Sequence, residues 1–329
     1  MSLWMDVIWV ILVSFLVIIA TILLESLMRS LLHRQKSIIA DSIPEAGEGF
    51  MFVGHSTVIF RLAGTVVLTD PILTSRYLGF NRRFVSLGIQ LKDLAKVDIV
   101  IISHGHPDHN HPASLSLLAR YNKRLTLVVP GGYARKYRYA KKFHFAQVLE
   151  VPRYESVNVK NLTIINVPAK HPNSEGASGW ILQSEPASAT DATGIQTVYF
   201  AGDTGYDQSM FREIGVRFTI DLAFLPMGCN RGSMFFDLLK PSFKYVHMGP
   251  RDYPMAINDL HARATVPIHW GTFLTGCEPI PVPPADFREL QEEGTIPPTA
   301  HLSWHGKWFP MDALAVPAHN RATQVGLLY

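Results

Sequence analysis

The apolar run inside VDIVIIS, residues 97–103, constrains the fold more than any other segment. A strand so rich in Val and Ile has no polar face to turn toward water, so it has to be covered on both sides. It leads directly into SHGHPDHNHP, residues 103–112, which packs four histidines and one aspartate into ten positions. A buried strand ending on ligand-type side chains predicts a polar site at one sheet edge, where α/β folds assemble their sites.

The same texture recurs from about residue 50 onward. TVIFRLAGTVVLTDP reads as strand, tight turn at Gly64, strand. RLTLVVPGG, VLEVP, VNVKNLTIINVP, GWILQSE, QTVYFAGDT, DLAFLP and ATVPIHWG continue the series, and HLSWHGKWF reads as a closing hairpin. Helical patterns lie between them: PASLSLLARYN, GGYARKYRYAKKF, QSMFREIGVR, YPMAINDLHARA and PADFRELQEE. This predicts a layered α/β domain, two sheets with helices outside. Residues 184–194, SEPASATDATG, read as an inserted or mobile loop.

The cluster is too crowded for one tetrahedral ion, whose ligands usually come from more widely separated positions. Two neighbouring ions account for it, His104 and His106 serving one, Asp108 and His109 the other. Each ion then needs further ligands, and a carboxylate has to bridge the pair. His171 in VPAKHP, Asp203 in FAGDTG and His269 in PIHWGTF can supply them. His55 in GHST and Asp70 in LTDP are expected beside the ions, orienting ligands, with a turn or strand-end hydrogen bond as the alternative for each. His111 reads as a solvated turn residue, because the ligand set is complete without it.

These residues resemble the metallo-β-lactamase fold superfamily. The resemblance implies an αββα sandwich with a dinuclear site at the edge of the sheets. His104, His106 and His171 would hold one zinc, Asp108, His109 and His269 the second, and Asp203 would bridge them with a water or hydroxide. Within the superfamily the chain is most similar to the N-acylphosphatidylethanolamine-hydrolysing phospholipase D branch. The shared stretches are VGHSTVIF, LTDPILTSR, ISHGHPDHN, PAKHP, FAGDTGYDQSMFREIGVRF, DLAFLPMG and PIHWGTF. Iron or manganese would also suit an N/O site of this kind.

Zinc brings the pKa of bound water to about 7, so the implied reaction is attack of a metal-bridging hydroxide on a phospholipid phosphodiester. Asp203, Asp108 and His247 are the catalytic candidates. Asp203 would orient the nucleophile and take its proton, and His247 in KYVHMGP would stand near a phosphate oxygen. A structural hydrogen bond is an equal reading of His247. Phe235 and Phe236, in SMFFDLLKPSFKY, are candidates to contact lipid, against the alternative of ordinary core. The basic-aromatic run RKYRYAKKFHF, residues 135–145, reads as a solvated helix face that could also meet anionic lipid.

Upstream, VIWVILVSFLVIIATILL, residues 7–24, carries no charge and is long enough as a helix to cross a bilayer. No basic n-region or small-residue cleavage site marks it as a cleaved signal. Arg29, Arg34 and Lys36 follow it, so the positive-inside rule puts the C-terminal side in the cytoplasm. The expected organisation is an anchor and juxtamembrane segment over residues 1–40 and a hydrolase domain over 41–329. That makes a single-pass membrane protein with a cytoplasmic catalytic domain. Its expected partners are a membrane, a phospholipid substrate and, as an open question, a second copy in a homodimer.

With 47% hydrophobic residues a sizeable core is easily filled, while a net charge of +3 is too weak to argue for nucleic acid. Two cysteines, Cys229 and Cys277, argue against a disulfide framework. Two other functions stay open on the sequence: a lactonase or other hydrolase of small soluble anions, and a non-catalytic metal-binding scaffold.

Overall fold

The structure is a computed structural model that describes residues 4, 7–17, 20, 35–78, 81–143, 145–171, 176–185, 194–228, 246–274 and 280–314. Its strands in chain order are β1 (Gly49–Gly54), β2 (Thr57–Leu62), β3 (Thr65–Thr69), β4 (Arg76–Tyr77), β5 (Asn81–Arg82), β6 (Ile99–Ile101), β7 (Thr126–Pro130), β8 (Gln147–Val151), β9 (Ser156–Val159), β10 (Leu162–Pro168), β11 (Ser178–Ser184), β12 (Thr197–Phe200), β13 (Leu222–Pro226), β14 (Ala264–Ile268) and β15 (Trp308–Pro310). The α-helices are α1 (Pro112–Tyr121), α2 (Tyr133–Tyr137), α3 (Tyr139–Phe143), α4 (Gln208–Arg217), α5 (Tyr253–Leu260) and α6 (Val282–Glu292).

Two sheets face each other. One runs β15-β1-β2-β3-β6-β7-β8 and the other β14-β13-β12-β11-β10-β9. Alternation along the strands of the first sheet sorts its side chains between two cores. Phe50, Phe52, Phe60, Val67, Ile99, Ile101 and Val128 point at the second sheet. Met51, Val53, Ile59, Leu68, Val100, Leu127 and Val129 point outward, under Leu115, Leu118, Tyr133 and Tyr139 of the flanking helices. Between the sheets, Phe224 of β13 meets Phe50 edge-on at 5.4 Å and stacks on Phe60 at 5.7 Å. Phe211 and Ile214 of α4, Tyr253 and Leu260 of α5, and Phe287 of α6 close the second sheet. This is the four-layer αββα arrangement the resemblance implies, and the 97–103 run supplies its doubly covered strand β6, buried throughout.

Topology explains where the polar residues end up. β3, β6, β7 and β8 run parallel to one another, as do β12, β13 and β14. Parallel strands share an edge for their C-terminal ends, and Asp70, His104, Asp203 and His269 lie just past four of those ends. The two sheets are tied together there: Trp180 Nε1 donates to the Ile102 carbonyl (3.1 Å) and Ser178 N to the Ser103 carbonyl (3.1 Å).

Two expectations meet a different local structure, and a third is left unconfirmed. HLSWHGKWF is no hairpin: only its last residues form a strand, β15, which pairs antiparallel with β1, and His305 makes a lone bridge to Phe52. The helical pattern over residues 131–143 breaks into α2 and α3 at Arg138, whose φ of 52° stops helix propagation. At the N-terminus residues 7–17 are helical, while residues 18, 19 and 21–34 lie outside the described set. Among the described residues no helix is long and apolar enough to cross a membrane, so the predicted span is unconfirmed. Farther on, the chain packs against the segment between β5 and β6: Ile38 N donates to Ser86 Oγ (2.9 Å) and Ile43 N to Asp93 Oδ2 (3.1 Å).

Candidate metal centre

Loops and turns at the shared edge bring the candidate ligands together. His104, His106 and His171 each offer a ligand atom within 4.8 Å of the others, and so do His55, Asp108, His109 and His269. Asp203 stands between the groups. Its Oδ2 lies 3.8 Å from His171 Nε2 on one side, and 3.5 Å and 3.4 Å from the Nε2 atoms of His109 and His269 on the other. His247 Nε2 approaches the same oxygen at 3.0 Å. His171 and His106 also face one another, Nε2 to Nδ1, at 3.0 Å.

The backbone is bent to achieve this. His55, Asp70 and His269 adopt φ values of 59°, 32° and 61°, a region where non-glycine residues are uncommon and strain collects at functional sites. Gly202, next to Asp203, has φ 64°, and a Cβ there would sit 2.6 Å from the Ser103 Cβ. Only glycine meets both conditions.

Asp70, fully buried, sets the ring orientation of two histidines. Its Oδ1 accepts from Ser103 N (2.7 Å), and its Oδ2 accepts from Ser103 Oγ (2.5 Å) and from His109 Nδ1 (2.7 Å). With its proton committed to Asp70, Ser103 Oγ accepts from His104 Nδ1 at 2.9 Å. Both rings are thereby protonated on Nδ1, and each turns a bare Nε2 inward. His55 Nε2 hydrogen-bonds Asp108 Oδ2 at 3.2 Å, and its ring lies 4.0 Å from that of His269, tilted by 39°.

Buried atoms of this cluster lack hydrogen-bond partners: His104 Nε2, His109 Nε2, His171 Nδ1, Asp203 Oδ1 and both ring nitrogens of His269. Native proteins rarely leave so many buried polar atoms unsatisfied in one place, and nitrogen and carboxylate donors of this kind suit a divalent cation. Titration behaviour agrees for three of these rings, whereas the carboxylates of Asp108, Asp203 and Asp70 outweigh burial and raise His109 well above the ordinary range, adding a proton that a bound cation would displace. Burial pushes His104 and His269 well below the ordinary histidine range and lowers His171 to about 4, keeping these rings neutral as ligands. Burial would raise Asp203, but the charge of His247 and its hydrogen bond outweigh it and hold the carboxyl well below its usual value.

Asp70 therefore bonds His109 directly and reaches His104 through Ser103, and His55 falls in one group with Asp108, His109 and His269. His111 is away from these groups, bonding Ser114 Oγ at 2.8 Å at the start of α1. Phe235 and Phe236 lie outside the described residues. Ser103 was not anticipated; its position between an apolar strand and His104 is the only signal the sequence offers for it.

The beta-lactamase superfamily domain model matches residues 65–270, more than half of the chain. The N-acyl-phosphatidylethanolamine-hydrolyzing phospholipase D 1 of Caenorhabditis elegans is 28% identical over 277 residues, spanning 78% of this chain and 73% of the worm protein. An uncharacterized protein of Mycobacterium tuberculosis (strain H37Rv) is 31% identical, across 67% of this chain but only 58% of its own length. Among solved structures, a possible metal-dependent hydrolase from Veillonella parvula superposes with a TM-score of 0.63 at 19% identity, covering 80% of this chain and all of that one. Family model, relatives and fold agree with the geometry: the chain belongs to the beta-lactamase superfamily and is a metal-dependent hydrolase on the metallo-β-lactamase fold.

Proposed function

We propose that the chain is a membrane-anchored dinuclear zinc phosphodiesterase that cleaves phospholipids of the N-acylphosphatidylethanolamine type in the manner of a phospholipase D. The observation that carries the dinuclear part is the pair of ligand groups with Asp203 between them. The substrate class rests on similarity to the worm phospholipase. Anchoring rests on the uncharged stretch 7–24 and on the exposed apolar side chains of residues 7–17. The charge after that stretch favours a cytoplasmic catalytic domain.

His104, His106 and His171 would hold one ion and Asp108, His109 and His269 the other, with Asp203 shared. When bound, such a pair supplies Lewis acidity and brings the pKa of bound water to about 7. The chain's own groups do the rest. Asp70 and Ser103 fix which nitrogens of His104 and His109 stay bare. Asp203, fully ionised, can accept a proton from the attacking water. His247, 3.0 Å from Asp203, can turn a ring N–H toward a non-bridging phosphate oxygen. The bond broken joins phosphorus to the ethanolamine oxygen, and water supplies the oxygen that replaces it. The products are phosphatidic acid and an N-acylethanolamine.

The test is turnover of N-acylphosphatidylethanolamine in mixed micelles by the zinc-loaded full chain, with phosphatidic acid measured by mass spectrometry. Product well above a His106→Ala control is expected. Product at the control level across related phospholipids overturns the lipid assignment. Hydrolysis of soluble lactones instead, undiminished after removal of residues 1–40, would favour the small-anion reading.

A further inference from the structure

Two buried threonines stand beside the ligand groups, and each joins segments that are distant in sequence. Thr204 follows Asp203. Its Oγ1 accepts from Lys170 N at 2.9 Å and donates to the Gly205 carbonyl at 2.9 Å. Its backbone carbonyl accepts from Met248 N at 3.0 Å, and Gly205 N returns a bond to the Lys170 carbonyl at 2.9 Å. Lys170 precedes His171 and Met248 follows His247, so one residue joins the segments bearing His171, Asp203 and His247.

Thr272 has the matching place on the other side. Its Oγ1 accepts from His55 N at 2.6 Å and lies 3.1 Å from the Trp270 carbonyl and 2.9 Å from His305 Nε2. Its backbone carbonyl accepts from Phe84 N at 2.8 Å, and His269 N donates to the His55 carbonyl at 2.7 Å. Thr272 thus joins the turns carrying His55 and His269. The crowding is tight, since a Cβ on Gly54 would come within 2.8 Å of the Thr272 Oγ1.

We propose that Thr204 and Thr272 are positioning residues for separate halves of the centre: Thr204 aligns His171 for the His104/His106 ion, and Thr272 aligns His269 for the Asp108/His109 ion. The inference rests on the dinuclear reading. A hydroxyl that holds a ligand-bearing backbone has the effect of an outer hydrogen-bond partner on a metal site. Loss of such a partner weakens metal affinity about 10- to 100-fold. Valine keeps the shape of threonine and removes its hydrogen bonding, while serine keeps the hydroxyl, so the two replacements separate bonding from packing.

The experiment titrates the metal-free full chain with Zn2+ against a chromophoric chelator, and records the Co2+ absorption spectrum, for Thr204→Val, Thr204→Ser, Thr272→Val and Thr272→Ser. Thr204→Val should lose affinity for one ion about 10- to 100-fold, and its singly loaded Co2+ spectrum should match that of His106→Ala. Thr272→Val should lose the other ion and match Asp108→Ala. Both serine variants should stay within about threefold of the parent, a smaller change than loss of an outer partner brings. Retention of the second ion shows in each case that the chain is folded.

Valine variants that keep both ions at parental affinity, or that lose both together, overturn the inference. Hydrogen exchange at the Lys170 and His55 amides in the metal-free chain is a second readout. Each amide should exchange faster in its own valine variant and be restored by serine; unchanged exchange also overturns the inference. A parent chain that takes up fewer than two zinc ions sinks the dinuclear reading, and the exchange measurement then decides the threonine inference alone.

Discussion

Replacing Asp70 with asparagine removes one acceptor from a buried network that uses all of them. The carboxylate receives three hydrogen bonds, from Ser103 N, Ser103 Oγ and His109 Nδ1. Asparagine offers one oxygen and an NH2 group that can only donate. If the oxygen takes the Oδ2 place, the NH2 faces the Ser103 N–H, and two buried donors confront each other at a cost of about 1–3 kcal/mol. If it takes the Oδ1 place, the NH2 faces His109 Nδ1, which must then accept, and the His109 proton moves to Nε2. Ser103 Oγ must accept as well, so its own proton turns toward His104 Nδ1 and that ring also becomes Nε2-protonated. Either arrangement penalises the geometry in which both Nε2 atoms are bare. At about 1.4 kcal/mol per tenfold, this corresponds to zinc affinity weakened about 10- to 100-fold. Chelator competition on Asp70→Asn measures the affinity, and thermal unfolding of the metal-free chain measures the stability cost. Zinc affinity within about threefold of the parent, with unchanged stability, would refute the tautomer reasoning.

Three other perturbations have defined outcomes. Gly202→Ala places a side chain at φ 64° and 2.6 Å from the Ser103 Cβ, and should destabilise the chain by about 1–3 kcal/mol in urea unfolding. His305 is held at about 3 by burial and by the charges of Arg83 and Lys36, below its ordinary value of 6.5. Its contribution is therefore complete above pH 6.5 and is lost as pH falls toward 3, by about 1.4 kcal/mol per pH unit. Between pH 6 and pH 5, His305→Gln should lose that much less unfolding free energy than the parent; equal slopes would contradict the assignment. His247→Gln should retain both ions by metal analysis while turnover falls about 100-fold.

Much of this was legible because it is local. The strand β6 follows from an apolar run with no polar face, and Pro112 and the Asp207 cap at the start of QSMFREIGVR mark where α1 and α4 begin. His104, His106, Asp108 and His109 stood out by crowding, and His171, Asp203 and His269 by the strands that precede them. What was not legible is non-local. Strand order follows from pairing between distant segments, and the Trp304–His305 stretch looked like a hairpin because alternation alone does not reveal a partner. The roles of Ser103, Thr204 and Thr272 come from side chains bonding backbone or rings that the fold brings near. The break at Arg138 depends on a left-handed φ that no glycine announces.

The central claim, a shared-carboxylate pair of cations, is tested most directly by anomalous diffraction at the zinc edge from crystals of the zinc-loaded chain. The account predicts two peaks, one among His104, His106 and His171 and one among Asp108, His109 and His269, with Asp203 between them. A single peak, or zinc bound away from Asp203, would contradict it.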